Sequence, residues 1–137
     1  MWWVYALLSA LFAALTAIFA KIGMKGVDTD LATAVRTVVV LVLAWSIAFF
    51  RGGTDSIMML TKNNIIFLVL SGLATGLSWI FYFRALQLGK VSQVASIDKL
   101  SVAIVIIFSI LFLGETLTLK TAIGAVCIIL GTIIIIL

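Results

Sequence analysis

Apolar residues fill this chain of 137 residues in five long stretches, which short polar segments separate. Because an α-helix rises 1.5 Å per residue, about 20 residues cross the roughly 30 Å hydrocarbon core of a bilayer. Each stretch reaches that length, so the pattern predicts five transmembrane helices over about 2–22, 31–50, 64–87, 91–113 and 119–137. A closed β-barrel also spans membranes, but it needs alternating apolar and polar residues, and the run over 104–113 does not alternate.

Small and polar residues mark the predicted helix ends. Gly52 and Gly53 break the second helix, and Gly114 stops the fourth. Asn63 or Asn64 is predicted to cap the third helix. Because the chain has no proline, any discontinuity inside a helix is expected to come from a glycine.

Composition places the whole chain in a membrane. It is 65% hydrophobic and 10% charged, with a mean hydropathy of +1.39, whereas a soluble domain carries roughly 25% charged residues. We therefore expect an all-α integral membrane protein with one domain over 1–137. Its expected location is the cell membrane, as a multi-pass protein of a prokaryotic plasma membrane. The net charge of +4 comes from cations in short loops and at helix ends, so no nucleic-acid partner is expected.

The residue inventory excludes most enzyme chemistry. The chain has no histidine, a single cysteine at Cys127 and no glycine-rich phosphate loop ending in Gly-Lys-Ser/Thr. Imidazole catalysis, the usual zinc sites and direct use of ATP are therefore not expected. We predict no enzyme activity, no cofactor and no metal site.

An odd number of helices puts the two termini on opposite sides of the membrane. Two copies can then form the inverted repeat found in many transporters only if they insert in opposite orientations. The parity suggests half of a ten-helix transporter, which works as a pair.

A stripe of polar side chains runs along the third predicted helix. Its members recur at helical spacing and are Ser71, Thr75, Ser78 and Tyr82. Gly72, Gly76, Trp79 and Phe83 lie beside them. One interpretation is a helix-packing face, because Gly72-x-x-x-Gly76 allows close approach. The other is a substrate cavity with hydroxyl groups and a stacking surface at Trp79 or Tyr82. Both remain open.

Charged residues inside the predicted spans form a second candidate site. Asp98 lies about seven residues inside the fourth helix, where a charge costs about 2.5–3.5 kcal/mol near the bilayer centre. By helix direction, Lys99, Arg36 and Arg84 lie toward the same membrane face. Adjacent residues point about 100° apart on a helix, so Asp98 and Lys99 are not expected to share one partner.

Our preferred pairing joins Asp98 with Arg36 or Arg84. These charges are either a structural ion pair, with Arg36 and Lys99 reaching to the interface, or part of substrate binding, gating or proton coupling. Glu115, at the opposite face beside Gly114, is interpreted as a structural acid at a helix end.

The fifth predicted helix has a different character. Gly124 and Gly131 are seven residues apart and share one face, and the helix has no ionisable residue beyond Lys120 at its start. This pattern favours helix–helix packing across a dimer over a substrate path.

The second half of the chain resembles the EamA family of the drug/metabolite transporter superfamily. The similarity rests on YFRALQLG at 82–89, IDKLS at 97–101, LGE at 113–115 and IGA at 123–125. Most members carry two five-helix units in inverted orientation around a central cavity. The resemblance implies gradient-driven efflux or exchange of small metabolites, and Asp98 and Ser101 complete the predicted cavity. This chain has one unit, and Ser96 stands where relatives often carry a proline.

Charge counts in the loops permit insertion in both orientations. The face with the 1–2 and 3–4 loops has four cations and the other face has three; they are Lys21, Lys25, Arg84 and Lys90 against Arg51, Lys62 and Lys120. Including Arg36 and Lys99 makes the counts six against three, a modest preference for the first face in the cytoplasm.

The function that these features favour is secondary active transport of a small metabolite or drug-like molecule by an antiparallel homodimer with alternating access. The alternative is a membrane subunit that does not transport by itself, or a partner for another half-unit. A membrane enzyme lacks a catalytic constellation, and a channel is expected to show a more continuous polar pore lining.

Overall fold

The computed structural model describes all 137 residues. It consists of helices, without a strand. They are α1 Trp2–Gly23, α2 Thr29–Phe50, a 3-10 helix Gly53–Met59, α3 Lys62–Leu88, α4 Val91–Asp98, α5 Leu100–Leu113 and α6 Leu119–Ile136. The helices α4 and α5 together form the predicted fourth span, so the five helices long and apolar enough to cross a membrane are confirmed.

The helix ends follow local capping chemistry that the predicted bounds missed in two places. The Asp28 carboxylate accepts from the amides of Asp30 and Leu31 at 3.0 Å, so α2 begins at Thr29 rather than residue 31. The Thr61 hydroxyl accepts from the Asn64 amide at 3.3 Å, so the cap of α3 is neither Asn63 nor Asn64.

Two glycines end helices as predicted, because each adopts a left-handed conformation that other residues avoid. Gly114 follows α5 with φ +67°. Gly52 has φ +69° and leads into the 3-10 helix that occupies most of the predicted long loop.

The chain divides into two compact units: the first contains residues 1–19 and 88–137, and the second contains residues 20–87. The prediction of a single domain over 1–137 stays a prediction.

In the second unit, the side chains of Phe83 and Leu86 near the end of α3 are almost fully buried, as are Ala20 and Met24. The Lys21 ammonium donates to the Leu86 carbonyl at 2.5 Å, and the Gln87 amide donates to the Val27 carbonyl at 2.9 Å. The end of α3 is therefore tied to the connection between α1 and α2.

In the first unit, α6 packs against both α4 and α5. The residues of α6 with the least exposure follow one stripe that includes Ala122, Ala125, Ile128 and Thr132. Gly124 and Gly131 lie to the side of this stripe.

The fourth span is interrupted at Lys99, without a glycine or a proline. The Lys99 amide donates to the Ser96 carbonyl and the Val102 amide to the Lys99 carbonyl. Both bonds reach back three residues instead of the four of an α-helix. The Thr132 hydroxyl also donates to the Ser96 carbonyl, at 3.1 Å. The expectation that only glycine could interrupt a helix is thus wrong, because a hydroxyl group from α6 supports the altered backbone.

Most apolar side chains along the five spans are exposed in the single chain, including Trp2 at 80% and Phe50 at 86%. Such a surface needs contact with lipid tails or with another protein. This is a multi-pass membrane protein.

We expect Thr132→Val to lower the free energy of unfolding by about 1 kcal/mol, the net contribution of one hydrogen bond. Valine has nearly the shape of threonine but cannot donate to Ser96. The measurement is unfolding of the purified protein in mixed micelles, followed by loss of helical circular dichroism. The control Thr132→Ser keeps the hydroxyl and should retain most of the stability. Equal stability of Thr132→Val and the unchanged protein would contradict this role.

Candidate functional site

The most distinctive side chain of the second unit is Arg36, on α2. It lies seven residues after the helix start at Thr29, about 10 Å along the axis. It is therefore deeper in the span than the predicted helix start implied. Its guanidinium carbon lies 3.9 Å from the centre of the Phe83 ring on α3. This is a cation–π contact, which holds the guanidinium against an aromatic face.

Phe83 is also the centre of an aromatic cluster on α3. The centroid of the Tyr82 ring lies 5.5 Å from that of Phe83, in an edge-to-face arrangement. The centroid of the Trp79 ring lies 6.5 Å from that of Phe83, with an angle of 54° between the ring planes. Edge-to-face and tilted contacts are the favoured geometries of aromatic pairs. Because Phe83 is only 1% exposed, this ring is a fixed support for Arg36.

The Nη1 atom of the Arg36 guanidinium is buried and lacks a hydrogen-bond partner in the chain. By contrast, the nearby threonines on α2 satisfy their own hydroxyl groups, with Thr33 donating to Thr29 at 2.7 Å and Thr37 donating to Thr33 at 2.8 Å. Arg36 is therefore an unsatisfied cation beside neutral groups that are satisfied.

The predicted polar stripe on α3 divides into two parts. Tyr82 and Trp79 join the Phe83 cluster, whereas Ser71, Thr75 and Ser78 are exposed. The Thr75 hydroxyl donates to the Ser71 carbonyl of its own helix at 2.9 Å.

Gly72 and Gly76, beside the stripe, are open. A methyl group built on either would meet no atom within 4 Å. Neither glycine serves helix packing inside this chain, so this face is free for a substrate or a partner. Its role as a cavity wall stays a prediction.

The second predicted site lies in the first unit, at the interruption of the fourth span. The Asp98 carboxylate lies 3.5 Å from the Lys99 ammonium, with the side chains 38% and 60% exposed respectively. The cation that Asp98 contacts is thus its neighbour in sequence, although adjacent residues point in different directions on a regular helix. The two long-range pairings, with Arg36 or Arg84, stay predictions. Ser101 is exposed one residue after the start of α5.

Gly124 and Gly131, the predicted dimer contact, are also open. A methyl group built on either glycine would meet no atom within 4 Å. The chain alone gives no reason for small residues at these two positions. Their role in a dimer stays a prediction.

Sequence reasoning missed several polar residues that hold the structure together. The sequence pattern predicts Lys21 only as a loop cation and predicts no role for Gln87 or Thr132. Lysine near the last carbonyls of a helix is a recognised capping arrangement. The lysine at the end of α1 was therefore a detectable signal, but its partner on α3 was not.

Comparison with known proteins extends these observations. The sequence signature of the EamA-like transporter family matches residues 1–137. An "Uncharacterized transporter in cobO 3'region" of Sinorhizobium sp is 47% identical over 133 residues, which cover 97% of this chain and 94% of that protein. An uncharacterized protein of Methanocaldococcus jannaschii is 34% identical over 79 residues, 58% of each chain. No solved structure matches this chain.

Proposed function

Because this chain belongs to the EamA-like transporter family, we propose that it carries a small metabolite or drug-like molecule as a secondary active transporter. The proposed unit is an antiparallel homodimer that works by alternating access, in efflux or exchange. The observation that carries the proposal is the match of the family signature to the whole chain, although the chain has only five spans. The aligned residues of the similar Sinorhizobium protein make up 94% of that protein.

In this proposal, a second copy of the chain supplies the second five-helix unit of the inverted repeat. Five spans place the termini on opposite membrane sides, so a second copy in the same orientation gives a parallel repeat, and only an inverted copy gives an inverted one. The exposed apolar surface and the open glycines at 124 and 131 are consistent with a second copy in contact. The nearly balanced loop charges allow both orientations.

We expect each loop of the protein to be found on both sides of the membrane. Single cysteines are placed at Lys25 and at Ser56, after the native Cys127 is replaced by serine. Ser56 is chosen because it is exposed on the 3-10 helix and caps no helix. A membrane-impermeant maleimide should label both positions from either side in intact cells and inverted vesicles. Labelling of each position from one side only would contradict dual topology and leave a parallel dimer or a hetero-pair.

We expect Gly131→Leu to weaken dimerisation in lipid by at least about tenfold, or about 1.4 kcal/mol. Small residues let helix backbones approach closely, and leucine prevents that approach. Because the space around Gly131 is open in the single chain, the change should not disturb the protomer. Single-molecule photobleaching in liposomes measures the dimer fraction.

The matched control is Val126→Leu, at an exposed position on another face of α6. It should leave dimerisation unchanged. If Gly131→Leu remained fully dimeric while transport failed, α6 would belong to the substrate pathway instead.

The direct test of function is flux in liposomes that contain only this protein, using counterflow of a panel of small metabolites. Flux would support a self-sufficient transporter. Its absence across the panel, with a stable folded dimer, would favour the alternative of a non-transporting subunit or a partner for another half-unit.

In the same assay, we expect Asp98→Asn to reduce flux about tenfold or more without loss of the dimer. Removing the carboxylate leaves a cation without its partner in a region of low dielectric constant. Partial recovery on neutralising Arg36 or Arg84 would identify the partner, whereas recovery only with Lys99→Gln would assign it to the adjacent lysine. The control is Glu115→Gln, at the far end of the span. Normal flux of Asp98→Asn from pH 5 to 9 would exclude Asp98 as a gate or proton carrier.

A further inference from the structure

We propose that Arg36 binds an anionic group of the transported molecule, so that the substrate class is a small organic anion bearing a carboxylate or phosphate. This inference rests on the proposed transport function and names the substrate for it. The geometry that points to it is the guanidinium stacked on Phe83 and left without a hydrogen-bond acceptor.

A guanidinium nitrogen without an acceptor is energetically costly. Arginine stays protonated in proteins, so Arg36 cannot become neutral to reduce the cost of its burial. An unpaired charge within a span is unfavourable, and such residues face functional sites by default. The hydroxyl groups of Thr33 and Thr37 on α2 donate to carbonyls of their own helix, and no group of the chain accepts from the Arg36 Nη1. An anionic ligand would supply this acceptor.

The orientation of the guanidinium also suits an anion. Stacking on Phe83 occupies one face of the group and not its in-plane N–H donors, of which Nη1 is buried. Those donors match two oxygens of a carboxylate or phosphate, and such bidentate pairs are the strong ones. Arg36 keeps part of its surface exposed, so a ligand can approach it.

The surroundings of Arg36 also fit such a ligand. Tyr82 and Trp79 precede Phe83 along α3, contact its ring and are only partly buried. Aromatic rings bind the apolar part of a ligand and orient it. The site therefore fits an anion with an apolar or aromatic body better than a fully hydrated inorganic ion.

Binding is tested on the purified protein in a neutral detergent, so that it does not depend on transport. The probes are benzoate and phenyl phosphate, with benzyl alcohol and benzylamine as neutral and cationic counterparts of similar size. At least one anion should raise the thermal unfolding midpoint with saturation, and neither counterpart should. A failure of both anions to bind, or equal binding of benzyl alcohol, would overturn the proposal.

Variants then locate the site. Arg36→Gln should weaken anion binding by about tenfold to a hundredfold, the range for losing a hydrogen bond to a charged group. Arg36→Lys keeps the charge without the planar fork and should lose less. Arg51→Gln, an exposed arginine at the other end of α2, should bind as the unchanged protein does. If Arg36→Gln does not fold, Phe83→Leu and Arg36→Lys are tested in its place. Anion binding as strong as in the unchanged protein for both variants would overturn the assignment.

An anionic lipid headgroup has the same chemistry as a free organic anion. A second experiment distinguishes the two ligands. Phosphatidylglycerol is added to the delipidated protein before the probes. If it displaces benzoate and is retained through purification by the unchanged protein but not by Arg36→Gln, the site belongs to a lipid and the substrate assignment fails. Binding of the free anions without such competition supports it. Anion binding that persists while liposome flux is absent would refute the transport proposal and leave the anion site intact.

Discussion

The structure depends on one constraint: a polar group inside the hydrocarbon core must find its partner within the protein. Threonine hydroxyls on α2 and α3 meet it locally, by donating to a carbonyl four residues earlier in their own helix. Near the helix ends, Lys21 and Gln87 donate to backbone carbonyls of other segments. Thr132 meets the constraint at the interrupted fourth span. Against this background of satisfied groups, the unpartnered Nη1 of Arg36 stands out.

The same constraint explains which parts of the fold could be predicted from the sequence. Five spans follow from length and apolar character alone, and Gly114 and Gly52 marked helix ends because they are needed in a left-handed conformation. The start of α2 was missed by two residues, although Asp28 was a readable cap. The interruption at Lys99 could not be predicted from the fourth span, because its support comes from Thr132, which lies 36 residues after its acceptor Ser96. Local sequence patterns predict local structure, and the contact between Thr132 and Ser96 is not local.

In the candidate site too, local features could be predicted from the sequence and long-range contacts could not. Trp79, Tyr82 and Phe83 could be grouped by helical spacing, but their contact with Arg36 joins α2 to α3 and has no sequence signal. The Asp98 carboxylate lies beside Lys99, the residue that follows it in sequence, and the predicted pairing with Arg36 or Arg84 stays a prediction. The contact between Asp98 and Lys99 occurs where the fourth span departs from regular α-helical hydrogen bonding. The glycines at 72, 76, 124 and 131 were readable as close-approach positions, yet no partner fills them within the chain.

The open glycines and the unpartnered Nη1 of Arg36 have different energetic consequences. An open glycine face costs little in a lipid environment, because lipid tails can cover it as well as a helix can. A buried guanidinium nitrogen without an acceptor, as at the Arg36 Nη1, is unfavourable when only lipid tails surround it. The glycines therefore allow association without requiring it, whereas Arg36 requires an acceptor. A neutral molecule of the same shape would leave that requirement unmet, and a site built around a polar partner strongly rejects analogues that lack it. On this proposal, selectivity for an anion comes from the cost of leaving the Arg36 guanidinium without an acceptor, and the aromatic side chains of α3 select the rest of the molecule.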